Sequence, residues 1–217
     1  MDTIQAFLVR QKDWFMRRFD LRDEPDGFEE NVRVRGNEWL AKNPGKKASE
    51  YPDYWNDYRL AVQEAFNGCC AYMGFAIASG QVDHFVAKDV DPTRTYEWRN
   101  YRYAEPRVNL LKRKKAFLDP FEAEPGWLQI NPMTLEYSIG PNLPPPMRTI
   151  AEDMLSVLND RELVAGRRHM FRLYRSEDGS WDIGKLRILF PLLAEAAERL
   201  QEVSSPSAVE QTQDTVG

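Results

Sequence analysis

A break in helical periodicity constrains this chain more than any other feature. Apolar residues recur at helical spacing on both sides of residues 69–103, and within that stretch the spacing fades. Ahead of the break the pattern predicts helices over 1–22 (Ile4, Phe7, Leu8, Phe15, Phe19), 28–42 and 54–66. Asp53 stands in the N-cap position of the last, and Asn67-Gly68 closes it. Inside the break, residues 81–85 and 98–103 read as short strands, separated by a polar loop with Asp91-Pro92. Pro106 sits where an N1 proline opens a helix, which the pattern carries to about Phe117. A hairpin over 127–139, a proline-rich connector over 140–146 and helices over 147–159, 160–175 and 184–203 follow. Few strands among many helices make this an α+β chain, its small core embedded in a mainly helical shell. The expected organisation is an N-terminal helical segment (1–50), a core with flanking helices (51–175), a C-terminal helix (176–203) and a disordered tail (204–217).

Composition narrows the function classes. The chain has 217 residues, 42% hydrophobic and 29% charged. It contains no apolar run near the roughly 18 residues of a membrane span, and its N-terminus lacks a signal-peptide layout. A cytoplasmic protein without a membrane partner is expected. Cys69 and Cys70 are adjacent, so they do not form a disulfide framework, and two thiols cannot build a four-cysteine zinc site. The net charge of -5 argues against coating nucleic acid over the whole surface. From Arg99 to Lys115, however, seven basic residues face one acid, giving that segment +6 and leaving -11 to the remainder.

Of the two histidines, His169 lies in a helical stretch and reads as structural. His84 follows Asp83 at the end of an apolar strand, directly before a polar loop. An Asp-His pair alone is weak evidence of chemistry, but the downstream spacing adds to it. Cys70-Ala71-Tyr72-Met73 precedes Val82-Asp83-His84-Phe85-Val86-Ala87-Lys88. Then come Tyr96-Glu97-Trp98-Arg99-Asn100, Asn109-Leu110-Leu111-Lys112 and Phe117-Leu118-Asp119-Pro120.

Over roughly residues 52–175 this series resembles the HNH endonuclease family. It is most similar to the branch found as nuclease partners of ATPases in bacterial phage-defence systems. The resemblance implies a ββα-metal core and a metal-dependent endonuclease acting on nucleic-acid phosphodiesters, with DNA the expected form. It also implies an anti-phage effector working with a partner protein such as an ATPase. At the family's four zinc-binding positions stand Cys70, Met73, Glu105 and Val108, which cannot complete a tetrahedral zinc site. No structural zinc is expected, and Met73 and Val108 are expected to replace it by apolar packing. Asp83, His84, Asn100, Asn109 and Lys112 match while three of four cysteines do not, which favours an active enzyme over an inactive HNH-like interaction subunit.

By the same resemblance, Asp83 and Asn109 would hold one divalent ion, Mg²⁺ or Mn²⁺, through oxygen. His84 would be the general base and Asn100 would fix the loop between the strands. Lys112 would contact phosphate, with Lys88, Arg113, Lys114 and Lys115 as further contacts. Glu105 is expected to cap a helix or face solvent, and Tyr96 and Trp98 to lie in the core.

Overall fold

The computed structural model describes residues 18–131 and 133–204. Its centre is an antiparallel hairpin, β1 (Gln81–His84) with β2 (Tyr101–Ala104), in the register Gln81↔Ala104, Val82↔Tyr103, Asp83↔Arg102, His84↔Tyr101. Helix α3 (Pro106–Lys112) follows at once, opened by Pro106 and by Glu105, whose side chain accepts from Val108 N at 2.9 Å. Strand, strand and helix therefore occur in the expected order. A second hairpin, β3 (Leu128–Ile130) with β4 (Tyr137–Ile139), stands at the far side of the core.

Period-2 alternation turns the two faces of the first hairpin toward different surroundings. Tyr101 and Tyr103 enter an aromatic cluster with Phe28, Val32, Trp55, Phe66, Tyr96 and Trp98. Ala104 enters a larger cluster with Cys70, Met73, Val108, Phe117 and the C-terminal helices. Adjacent Cys69 and Cys70 divide the same way, one into each cluster. The first cluster draws on the π-helical turn Glu29–Val34, on α1 (Arg35–Lys42) and on α2 (Arg59–Ala65), which is entered through a 3-10 turn, Tyr54–Tyr58. The second draws on α4 (Arg148–Leu158), α5 (Arg161–Leu173), α6 (Ile183–Leu189) and α7 (Pro191–Ser204). Arg107 ties α3 to the start of α5 through Asp160, which also caps α5 by accepting from Glu162 N at 3.0 Å. Among the described residues no helix is long and apolar enough to cross a membrane.

Close approach of α1 to the hairpin depends on Gly36. A Cβ built there would lie 2.2 Å from ring carbons of Tyr96, which is fully buried and donates its hydroxyl to Pro52 O at 3.1 Å. Gly36→Ala is expected to lose about 1–3 kcal/mol through overpacking. That outweighs the gain of up to about 1 kcal/mol that alanine brings to a helix. Urea denaturation checks this, and equal or higher stability would show that α1 can shift without loss.

Four expectations about the elements need correction. The strand expected over 98–103 begins only at Tyr101, because Trp98–Asn100 forms a 3-10 turn in which Asn100 N donates to Glu97 O at 2.9 Å. The helix opened by Pro106 stops at Lys112 and does not reach Phe117, because Arg113 adopts φ +50° and turns the chain back. The turn lets Phe117 meet the edge of Tyr72 at 5.0 Å. The helix expected over 184–203 is two helices, broken where Phe190 (φ -141°, ψ 64°) precedes Pro191, a position that disfavours helical backbone. Of the helix expected over 1–22, residues 18–22 are irregular and the rest lie outside the described residues, as does the tail beyond Ser204.

Candidate functional site

Asp83, His84 and Asn109 meet in a cleft of about 710 Å³ between β1, α3 and the turn that opens α2. Its rim carries Arg59, Lys88, Arg113 and Lys114, together with Asp53 and Asp89. Lys114 pairs with Asp89 at 3.2 Å and Lys88 lies 3.9 Å from Asp53. Among the described residues, Arg59 and Arg113 have no carboxylate partner. The cleft therefore presents net positive charge inside an acidic protein, the sign that draws a phosphodiester.

His84 is held from three sides. Its ring stands edge-on to Trp55 at 4.6 Å and to Tyr101 at 5.2 Å, and Nε2 lies 3.0 Å from Thr95 O. A carbonyl only accepts, so Nε2 carries the hydrogen and the neutral ring keeps its lone pair on Nδ1. Burial, with Lys88 adding to it, pushes the imidazole down to about 3 from an ordinary 6.5. A folded-state value below the unfolded one makes the unfolded chain the better proton acceptor between them. The stability that His84 contributes is thus complete above pH 6.5 and lost as pH falls toward about 3. Wild type is expected to lose up to about 1.4 kcal/mol per pH unit more than His84→Phe across that window. Parallel stability profiles from urea titrations at stepped pH would show that His84 does not titrate this way.

Asn100 is buried and spends its side-chain amide on the loop between the strands. Its Nδ2 donates to Val86 O and Arg94 O, both at 3.0 Å, and its Oδ1 accepts from Val86 N at 2.8 Å. Both ends of the loop between β1 and β2 are pinned to one amide. The loop in turn presents Thr95 O to His84, so Asn100 positions the imidazole through the backbone.

Lys112 requires a correction. The expectation is contact with substrate phosphate, but its side chain is fully enclosed and points into the protein. The Nζ lies 3.0 Å from Asp83 Oδ2 and donates to His84 O at 2.9 Å and Phe85 O at 3.1 Å. Asp83 also accepts from the Tyr72 hydroxyl, and Arg102 lies opposite it in the register. Burial pushes the Asp83 carboxyl up, while Lys112 and Tyr72 draw it down. Arg102 is itself buried and holds Asp119 with two bonds, at 2.7 and 2.8 Å. Two enclosed cations and two carboxylates thus balance on this face. Lys115 also departs from expectation, since it donates to Ser156 on α4 and does not line the cleft.

The implied divalent ion does not fit this arrangement. The Asp83 carboxylate is already neutralised and hydrogen-bonded, and Asn109 offers only a neutral amide, whose Nδ2 donates to Gln81 Oε1 at 2.9 Å. Among the described residues no three His, Cys, Asp or Glu side chains converge as metal ligands. The residues at the four positions that the resemblance assigns to zinc have other partners. Cys70, Met73 and Val108 lie in one hydrophobic cluster, where each apolar side chain contributes about 1.5–3 kcal/mol. Burial pushes the Cys70 thiol up to about 11, and its sulfur accepts from Glu105 N at 3.4 Å. Glu105 caps α3. On the other side of Gln81 and Asn109 lies a second, mainly apolar cavity of about 890 Å³, with exposed His169 at its edge.

Several residues of the site gave no sequence signal. Thr95 acts through its backbone, which no residue type announces. Arg59 and Trp55 arrive from α2 and the turn before it, about 25 residues upstream of the motif. Tyr72 stands within a quoted motif, but only the fold aims its hydroxyl at Asp83. Scans against family models, curated proteins and solved structures gave no match to this chain.

Proposed function

We propose that this protein hydrolyses nucleic-acid phosphodiesters, with DNA as the expected substrate, and that His84 is the general base. The observation that carries this reading is the fixed imidazole of His84, donating through Nε2 to Thr95 O, in a cleft rimmed by Arg59, Lys88, Arg113 and Lys114. Nδ1 would take a proton from the attacking water while the rim cations hold the phosphate and offset its developing charge. The order β1, β2, α3 and the loop pinned by Asn100 support an HNH-type core, with Asp83 acting beneath the site and not on the substrate. Because most of the chain outside Arg99–Lys115 is acidic, intrinsic affinity for nucleic acid would be low. A partner protein such as an ATPase would then supply binding surface, as in an anti-phage effector pair. Efficient cutting by the purified chain at physiological salt would count against that dependence.

A second reading is a non-catalytic, HNH-like interaction subunit. It is favoured by the burial of Asp83 and His84, which are 5% and 8% exposed. Plasmid nicking by wild type and His84→Ala, each with Mg²⁺, Mn²⁺ and EDTA, separates the two. Cutting by wild type that the substitution abolishes supports the hydrolase, and equal cutting by both overturns it.

A further inference from the structure

Four oxygens from three consecutive residues surround the Lys112 ammonium. Asp83 Oδ2 and Oδ1 lie at 3.0 and 3.3 Å, His84 O at 2.9 Å and Phe85 O at 3.1 Å. This is a cation site at the end of β1 whose occupant is a side chain of the protein itself. We propose that Lys112 is the resident cation of this site: its ammonium takes the place on Asp83 that a divalent ion would otherwise hold, so the cleft works without a bound metal.

Three features support this. The Asp83 carboxylate is engaged from inside by Lys112 and Tyr72, and buried Arg102 lies on the same face. A dication placed against that carboxylate would stand a few ångströms from an enclosed ammonium, where low dielectric strengthens repulsion. Lys112 also cannot easily withdraw, because its Nζ lies 5.8 Å from the Tyr72 ring centre and 5.9 Å from that of Phe117, both buried. Lys112 does not reach the cleft surface, so its role is to position. It fixes the carbonyls of two successive peptides, His84–Phe85 and Phe85–Val86, and thereby the backbone that follows the imidazole. The inference rests on the proposed hydrolase only for its consequence in cleavage.

The test is Mn²⁺ titration of the full chain, followed by the electron paramagnetic resonance of the free ion, for wild type, Asp83→Asn and Lys112→Met. Wild type and Asp83→Asn are expected to bind Mn²⁺ alike, with no Asp83-dependent site. Lys112→Met is expected to gain a site at least about a hundredfold tighter than any Asp83-dependent binding in wild type. One Mn²⁺ bound by wild type and lost in Asp83→Asn overturns the proposal. If Lys112→Met does not fold, the comparison of wild type with Asp83→Asn still decides it. Nicking in EDTA is expected to stay within about twofold of nicking in Mg²⁺, a difference too small for loss of a metal. Nicking that EDTA abolishes and Mn²⁺ restores through Asp83 overturns the proposal. Failure to cut under every condition strikes the hydrolase reading, and the titration then decides the cation by itself.

Discussion

Replacing His84 by alanine is expected to lower strand cutting by about 10²-fold, the low end of what a positioned general base contributes, because burial makes this imidazole a weak base. Thr95 O fixes the tautomer and leaves Nδ1 as the basic nitrogen. Burial keeps the ring neutral, with its value near 3, so the pH-rate profile is expected to show no His84 limb between pH 6 and 8. The substitution also removes a ring packed between Trp55 and Tyr101, so circular dichroism and a melting curve must accompany the assay. His84→Gln serves as the second variant, because it retains a donor for Thr95 O but is no base. Cutting by folded His84→Gln at the wild-type rate would remove His84 from the chemistry.

The second large effect concerns stability. Lys112→Met is expected to cost about 3–5 kcal/mol, because it leaves the Asp83 carboxylate buried without its counter-charge. His84 O and Phe85 O lose their donor as well. The corresponding fall in Tm is roughly 6–20 °C. The double variant Asp83→Asn/Lys112→Met removes both charges and leaves an amide oxygen for Tyr72, so it is expected to regain about half of the loss or more. A double-mutant cycle by urea denaturation reads the coupling directly. A Lys112→Met cost below about 1 kcal/mol, or a double variant no better than the single, would mean that the pair is not held as the structure shows it.

Much of the path to the site was legible in the chain. Pro106 and Glu105 announced the start of α3 by their position, and both act there as a sequence rule expects. Met73 and Val108 lie in the core, and Glu105 caps α3, as their residue types and places in the chain suggest. Other features were not legible. Lys112 departs from expectation because a lysine that opens a basic run, Lys112 to Lys115, looks solvated, and only the closure of α3 against β1 shows that it turns inward. The early end of that same helix has no local signal either, because Arg113 is forced to φ +50° by where Phe117 must pack.

By itself, the sequence determined the succession of strand, strand and helix through β1, β2 and α3 and the residue types available for chemistry. These follow from periodicity, proline and capping, which act over a few neighbouring residues. Tertiary structure alone decided which charges are enclosed and which are free. The register Asp83↔Arg102, the arrival of Lys112 beneath Asp83 and the convergence of Arg59 and Trp55 on His84 join segments far apart in the chain. Whether a carboxylate binds an ion or an ammonium depends on desolvation and on distances of about 3 Å, which no local pattern encodes.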